Sequence, residues 1–212
     1  DWSSDVCSSD LYNVGMASRT DVFKTASAHI TRRLFEGKPL DDKVWIVSVA
    51  LVIIGFVAYQ LLIASWLDTS KLANGSAKVA IDDILKFSTM FVVSRVLSGG
   101  AGGTGWDASS PTGMSQEEWV KDSGLFLASL VTYDLLFHDL VTDKTKDMDA
   151  TVKVVVNNSA KWMSVFAFHN FSKGGEFDRM WFMSSSGFVT GLIVYDLVVA
   201  TYMPKYIDEG TI

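Results

Sequence analysis

One cysteine stands in the 212 residues, and it lies in the opening stretch DWSSDVCSSDL. That stretch reads as a translated sequencing adapter. Residues 1–15 are therefore set apart as an adapter-derived or disordered segment, with the native chain expected to start near Leu11 or at Met16. Without Cys7 there is no disulfide framework, thiol nucleophile or cysteine metal site. Only three prolines occur, which leaves long helices uninterrupted. Basic residues are the minority, with 18 Lys and Arg against 24 Asp and Glu and a net charge of -6. Nucleic-acid partners call for clustered Lys and Arg, so none is expected.

Catalytic signatures are missing too. The glycine-rich run SGGAGGTGWDASSPTG, residues 98–113, lacks the Gly-Lys-Ser/Thr of a phosphate-cradling loop and reads as a flexible insertion. No dinucleotide fingerprint or Ser-His-Asp order is visible. Asp134 and His138 stand at i, i+4, a spacing that can present two metal ligands. With no cysteine or second histidine nearby, a solvated helix end is the better reading, with Asp139 part of it. No cofactor, metal or catalytic residue is expected, and the chain is not read as an enzyme.

What the chain does have is a repeat. Trp45, Trp119 and Trp181 are each followed fourteen residues later by Tyr59, Tyr133 and Tyr195. The next residues are Gln60, Asp134 and Asp196, each before a Leu. Ten after each Trp is a small residue, Gly55, Ser129 or Gly191, and three after it is Ser48, Asp122 or Ser184. Upstream, Lys24, Lys86 and Lys161 stand thirteen residues before Gly37, Gly99 and Gly174. The chain thus reads as three tandem helical hairpins, residues 16–67, 81–141 (with the insertion 98–113) and 151–203, followed by a tail, 204–212. At about 100° per residue the Trp, +3, +10 and +14 positions fall within roughly 80° of one another. Ser48, Gly55, Tyr59, Ser129, Tyr133, Ser184, Gly191 and Tyr195 are accordingly read as a helix-packing seam, because small residues let backbones approach closely.

WIVSVALVIIGFVAYQLLIASWL, residues 45–67, carries no charge. Its twenty-three residues rise about 34 Å, enough to cross a bilayer. Trp45 and Trp66 are spaced as two interfacial aromatics would be, and Trp181 and Tyr202 share that spacing. The mean hydropathy of +0.24 agrees with a membrane protein. The fold class is all-α, a polytopic membrane protein with four to six membrane helices; a soluble six-helix bundle is the alternative. The face Val22, Ala26, Ile30 and Leu34 fits a helix in the interface or inside a bundle. Lys86, Arg95 and Lys161 are expected to snorkel or to face other helices. Gln60, Asp134 and Asp196 are pore or proton-path candidates, since intramembrane carboxylates flag function. A position that accepts either Gln or Asp reads as wet rather than locked in an ion pair, so Asp134 and Asp196 are expected to matter little for folding.

The segments ILKFSTMFVVSRVLSGG, EEWVKDSGLFLASLVTYDLLFHDLV and WFMSSSGFVTGLIVYDLVVATYM resemble small multi-helix membrane proteins of large DNA viruses of algae and other protists. Some of those proteins lie in the virion's internal membrane beneath the capsid. The resemblance implies a structural virion or host-membrane protein with no assigned site. The partners it implies are the lipid bilayer, the capsid or other membrane proteins; further copies of this chain are also candidates. The competing expectation is an ion channel or small-solute transporter with a pseudo-threefold path through the repeats.

Overall fold

The computed structural model describes residues 5–64, 66–67, 75–99 and 114–199, with side chains from residue 20 onward. The insertion beyond residue 99, the tail 204–212 and Tyr202 lie outside the described residues. The described chain is helical: α1 (Asp5–Phe35), α2 (Lys43–Tyr59), α3 (Gly75–Leu97), α4 (Gln116–Leu136), α5 (His138–Thr145), α6 (Ala150–Ser172) and α7 (Arg179–Val194). No strand occurs among the described residues. The backbone of α1 starts at Asp5, inside the stretch set apart from the sequence.

Local chemistry sets where the helices stop and start. Gly37, Gly99 and Gly174 have φ of 66°, 66° and 70°, a left-handed conformation costly for any side chain with a Cβ. Each ends a first helix by donating back to the carbonyl three residues earlier, Leu34, Val96 or Phe171. The following helices begin on caps. Asp42 accepts from the Val44 and Trp45 amides, Asp178 accepts from Trp181 at 2.7 Å, and Ser115 forms a capping box with Glu118. α2 and α7 then run on into π-helical turns, Gln60–Ala64 and Tyr195–Val199, while α4 breaks at Phe137 with a bend of 48° into α5. That bend moves His138 onto a helix separate from Asp134, so the i, i+4 pair of the sequence is not presented on one face. No metal-holding group of His, Asp or Glu occurs among the described residues.

The six long helices close a ring in the order α1, α2, α3, α4, α6, α7, with α7 packed extensively on α1 and α5 tucked against α4 and α6. Small residues allow the approach. A Cβ added to Gly55 on α2 would lie 2.6 Å from Cα of Met90 on α3, and one on Gly191 of α7 would collide with the backbone of Ser27 and Ala28 on α1. Gly55, Tyr59, Ser129, Tyr133, Gly191 and Tyr195 are buried; Ser48 and Ser184 are half-buried. Between the helices Met90, Phe91, Phe126, Leu130, Val165 and Phe166 form a packed apolar core.

Along the helices much of the outer surface is apolar. Ile46, Val47 and Ile54 on α2, Leu62 in the turn that continues it, Val92 and Val96 on α3, Leu135 on α4, Phe182 and Val194 on α7 are all exposed. On α1, Ile30 and Leu34 also face outward, while Thr25, His29 and Arg33 are buried. Two helices are long and apolar enough to cross a membrane, Lys43–Ala64 and Arg179–Val199, and the bent α4–α5 pair makes up to three. This is fewer than the four to six expected. α1, α3 and α6 have the length but not the apolar composition. The aromatic-belt reading changes as well. Trp45 is only 8% exposed and lies under the Arg33 guanidinium, 5.2 Å from its ring centre, whereas Trp66 is 88% exposed.

Because the Gly55 position abuts backbone, Gly55→Leu should force α2 and α3 apart and cost about 1–3 kcal/mol. Gly124 has nothing within 4 Å of an added Cβ. Thermal melts in detergent should show a clear drop for Gly55→Leu and little change for Gly124→Ala; equal melting temperatures would refute the close approach.

Candidate functional site

Lys24, Lys86 and Lys161 each reach across to the preceding helix pair. Lys86 on α3 donates to Asp21 on α1, and the other Asp21 oxygen accepts from Gln60 Nε2 at 2.8 Å. Lys161 on α6 donates to Asp83 on α3 and, at 3.0 Å, to Asp134 on α4. Lys24 on α1 donates to both oxygens of Asp196 beyond α7 at 2.8 Å, and Asn158 of α6 donates to Asp196 at 2.9 Å. One rule describes all three. An ammonium group from one helix pair meets a carboxylate of the pair before it, and two positions build each junction, one fifteen residues after that pair's Trp, the other three residues before its Lys; Lys161 bonds both, whereas Gln60 and Asn158 bond the carboxylate that the lysine holds. The third pair hands on to the first, so the clamps go round the ring.

Helix geometry explains the convergence. Residues at i and i+3 share a helix face, so Asp21 and Lys24, Asp83 and Lys86, and Asn158 and Lys161 stand side by side. The second helix of each pair brings Gln60, Asp134 or Asp196 in the turn that follows its seam Tyr. A lysine inside an apolar ring must be paired, because an isolated buried charge is far costlier than an exposed one.

Gln60, Asp134 and Asp196 thus sit one to a clamp, at three separate helix junctions. They do not gather into a single cluster. Nor are the carboxylates merely wet. Asp134 is fully buried, and its Oδ2 has no hydrogen-bond partner. Asp196 accepts three hydrogen bonds. Both carboxylates are thus ion-paired where a wet position was expected. Sequence reading missed Asp21, Asp83 and Asn158, although a position three before each repeat Lys was there to be counted.

The clamps border a cavity of about 350 Å³ inside the ring. Asp21 and Lys24, Asp83 and Lys86, and Asn158 and Lys161 line it, one such pair from each first helix. The remaining wall carries Thr20, Thr25 and His29 beside an apolar, largely aromatic part with Phe56, Phe87, Phe126, Trp162 and Phe188. The Lys86 ammonium also lies 5.2 Å from the Phe56 ring centre.

At the turn end of the same junctions there is a second polar layer. Asp122 on α4 pairs with His169 and Lys173 at the end of α6. Glu36 pairs with Arg32 at 3.0 Å and Lys38 at 2.8 Å. Burial pushes the Glu36 carboxyl up, but Lys38, Arg32 and Ser184 together outweigh it and hold the group below its ordinary value. A lowered folded-state value stabilises the protein above the unfolded carboxyl pKa, about 4.3, and that share is lost as pH falls through the folded value.

Two expectations follow. Asp134→Asn gives its clamp the one-carboxylate, one-amide make-up of the other two and should hold or raise the detergent melting temperature. Asp196→Asn strips its clamp of its carboxylate and should cost about 1–2 kcal/mol, discounted because Lys24 is partly solvated. Equal melting temperatures for both variants and the parent would mean that the clamps do not bear on stability. Separately, Glu36→Gln should flatten the loss of melting temperature on acidification below about pH 4; an unchanged acid limb would show that the Glu36 pairing is neutral.

Comparison with protein-family models, with curated proteins and with solved structures finds no match for this chain.

Proposed function

We propose that the chain is an integral membrane protein of three tandem helical-hairpin repeats, 16–67, 81–141 and 151–203, whose ring serves as a structural, non-catalytic membrane scaffold. The observation that carries this reading is the reversed polarity of the ring: ionic groups point inward at helix junctions, and large apolar side chains point outward. Water rewards the opposite arrangement, whereas hydrocarbon rewards this one. All six long helices then lie in the bilayer, α1, α3 and α6 included, with their lysines turned to neighbours. Support for the repeat comes from the matched left-handed glycines, the caps before each Trp and the cyclic clamps. Resemblance to virion membrane proteins supports a host or virion internal membrane as the location, with the capsid, other membrane proteins or further copies as partners.

A scaffold is favoured over a pore because fully buried Met90, Phe91, Phe126 and Leu130 fill the ring beside the cavity. The second reading, a channel or small-solute transporter, draws on the axial cavity itself.

The expressed chain should stay in the pellet after alkaline carbonate extraction, and proteoliposomes carrying it should be no leakier to small ions than empty ones. Release into the supernatant would end the membrane reading. An ion flux lost on Asp134→Asn or Asp196→Asn would replace the scaffold with the channel.

A further inference from the structure

The polar layer at the turn end of the ring differs from junction to junction. Between the second and third pairs, Asp122 stands three residues after Trp119 and pairs with His169 and Lys173. Between the third pair and the first, the position three after Trp181 is Ser184, which donates to Glu36. The repeat thus puts a hydroxyl on this second helix where its neighbour has a carboxylate.

A cavity of about 280 Å³ opens at that junction. Its wall carries Arg32 and Lys38 from the first pair, His169 and Lys173 from the third, and one acid, Glu36. Three fixed cations therefore face one carboxylate. Asp122 lies behind Lys173, off the wall, and counting it still leaves one positive charge over. Glu176, Asp178 and Arg179 of the adjoining turn are exposed and off the wall, where water and salt screen them. Burial opposes ionisation of Glu36, yet Lys38, Arg32 and Ser184 hold its carboxyl below its ordinary value. The surroundings favour negative charge.

The wall also has donors to spare. An ammonium group carries three N–H donors. Lys38 pairs with Glu36 and Lys173 with Asp122, one partner each. Ser185 lines the cavity at 6% exposure, and its hydroxyl has no hydrogen-bond partner among the described residues. Buried hydroxyls are normally partnered. A phosphate group suits donors that converge from different helices, because its oxygens accept from several directions at once. The volume is at the small end for ligand sites, which fits a headgroup-sized body.

We propose that this turn-end cavity binds a phosphate group, carried by an anionic phospholipid or present as the free anion, with Lys38, Lys173 and Ser185 as donors and Arg32 adding charge. The phosphate chemistry stands apart from the scaffold reading; the lipid source alone rests on the membrane location. Two observations favour that source. Met180 and Trp181 on the wall belong to the first turn of the apolar span Arg179–Val199. Phe35 and Phe182, next to wall residues in the chain, are exposed.

The test uses the full chain in detergent at fixed ionic strength, titrated with inorganic phosphate, dihexanoyl-phosphatidic acid and dihexanoylglycerol, and read by calorimetry and melting temperature. At least one phosphate compound should bind saturably and raise the melting temperature, with dihexanoylglycerol at least about tenfold weaker. If the phosphatidate is at least about tenfold the tighter of the two, the source is a lipid headgroup; otherwise it is the free anion. Lys38→Gln and Lys173→Gln should each weaken binding by about tenfold. Ser185→Ala should weaken it by a smaller factor and, removing no charge, serves if the lysine variants do not fold. Lys144→Gln, at an exposed position off the wall, should leave binding unchanged. The proposal is overturned if neither phosphate compound binds by about 10 mM, if dihexanoylglycerol binds as well as the phosphatidate, if the wall variants leave binding unchanged, or if Lys144→Gln weakens it as much as they do. Release of the protein by carbonate would remove the lipid source together with the membrane reading, and the phosphate titration would still decide the site.

Discussion

An ammonium group in an apolar ring has to find a carboxylate, and this molecule meets that demand three times by the same route. Lys24, Lys86 and Lys161 each look backward, to the helix pair before their own. The apolar seams hold the helices at contact distance, but they are tolerant of sliding. The clamps are not, because a shift of one helical turn would leave a lysine and at least one aspartate unpaired in a medium that cannot solvate them. Register between neighbouring hairpins is thus set by charge, and closeness by the small residues at Gly55, Ser129 and Gly191.

Much of this was legible in the order of the residues, and the reason lies in what kind of information each feature needs. Helix ends depend on local chemistry, so Gly37, Gly99 and Gly174 could be picked out from their offsets to the lysines, and the second helices from their tryptophans. The seam depends on one periodic stripe within one helix and was equally readable. The clamps depend on which helices become neighbours. Asp21, Asp83 and Asn158 are a mixed set, as are Gln60, Asp134 and Asp196, so neither position looks conserved in chemistry when taken alone. Only the sum over a junction is constant: an ammonium, at least one carboxylate and a second polar group. The sequence reading treated the acids singly, and so took them for solvated positions.

The same comparison bears on how charge is counted along a chain. α1, α3 and α6 carry Lys24, Lys86 and Lys161, and in the ring these three are turned to partners on other helices, while Ile30, Leu34, Val92 and Val96 are exposed. Composition reports the total and not where each side chain points. Trp45 makes the reverse point. Its place at a helix start suggested an interfacial anchor, yet it is buried with the Arg33 guanidinium over its ring.

The closing contact of the ring joins its first helix to its last, and Lys24 and Asp196 are 172 positions apart. Until α7 emerges during synthesis, α1 presents a groove and a lysine with no cis partner, and the incomplete chain is an open arc. Lys86 and Lys161 each meet an acid that stands before them in the chain, whereas Lys24 waits for Asp196, so this junction is the last of the three that synthesis can close.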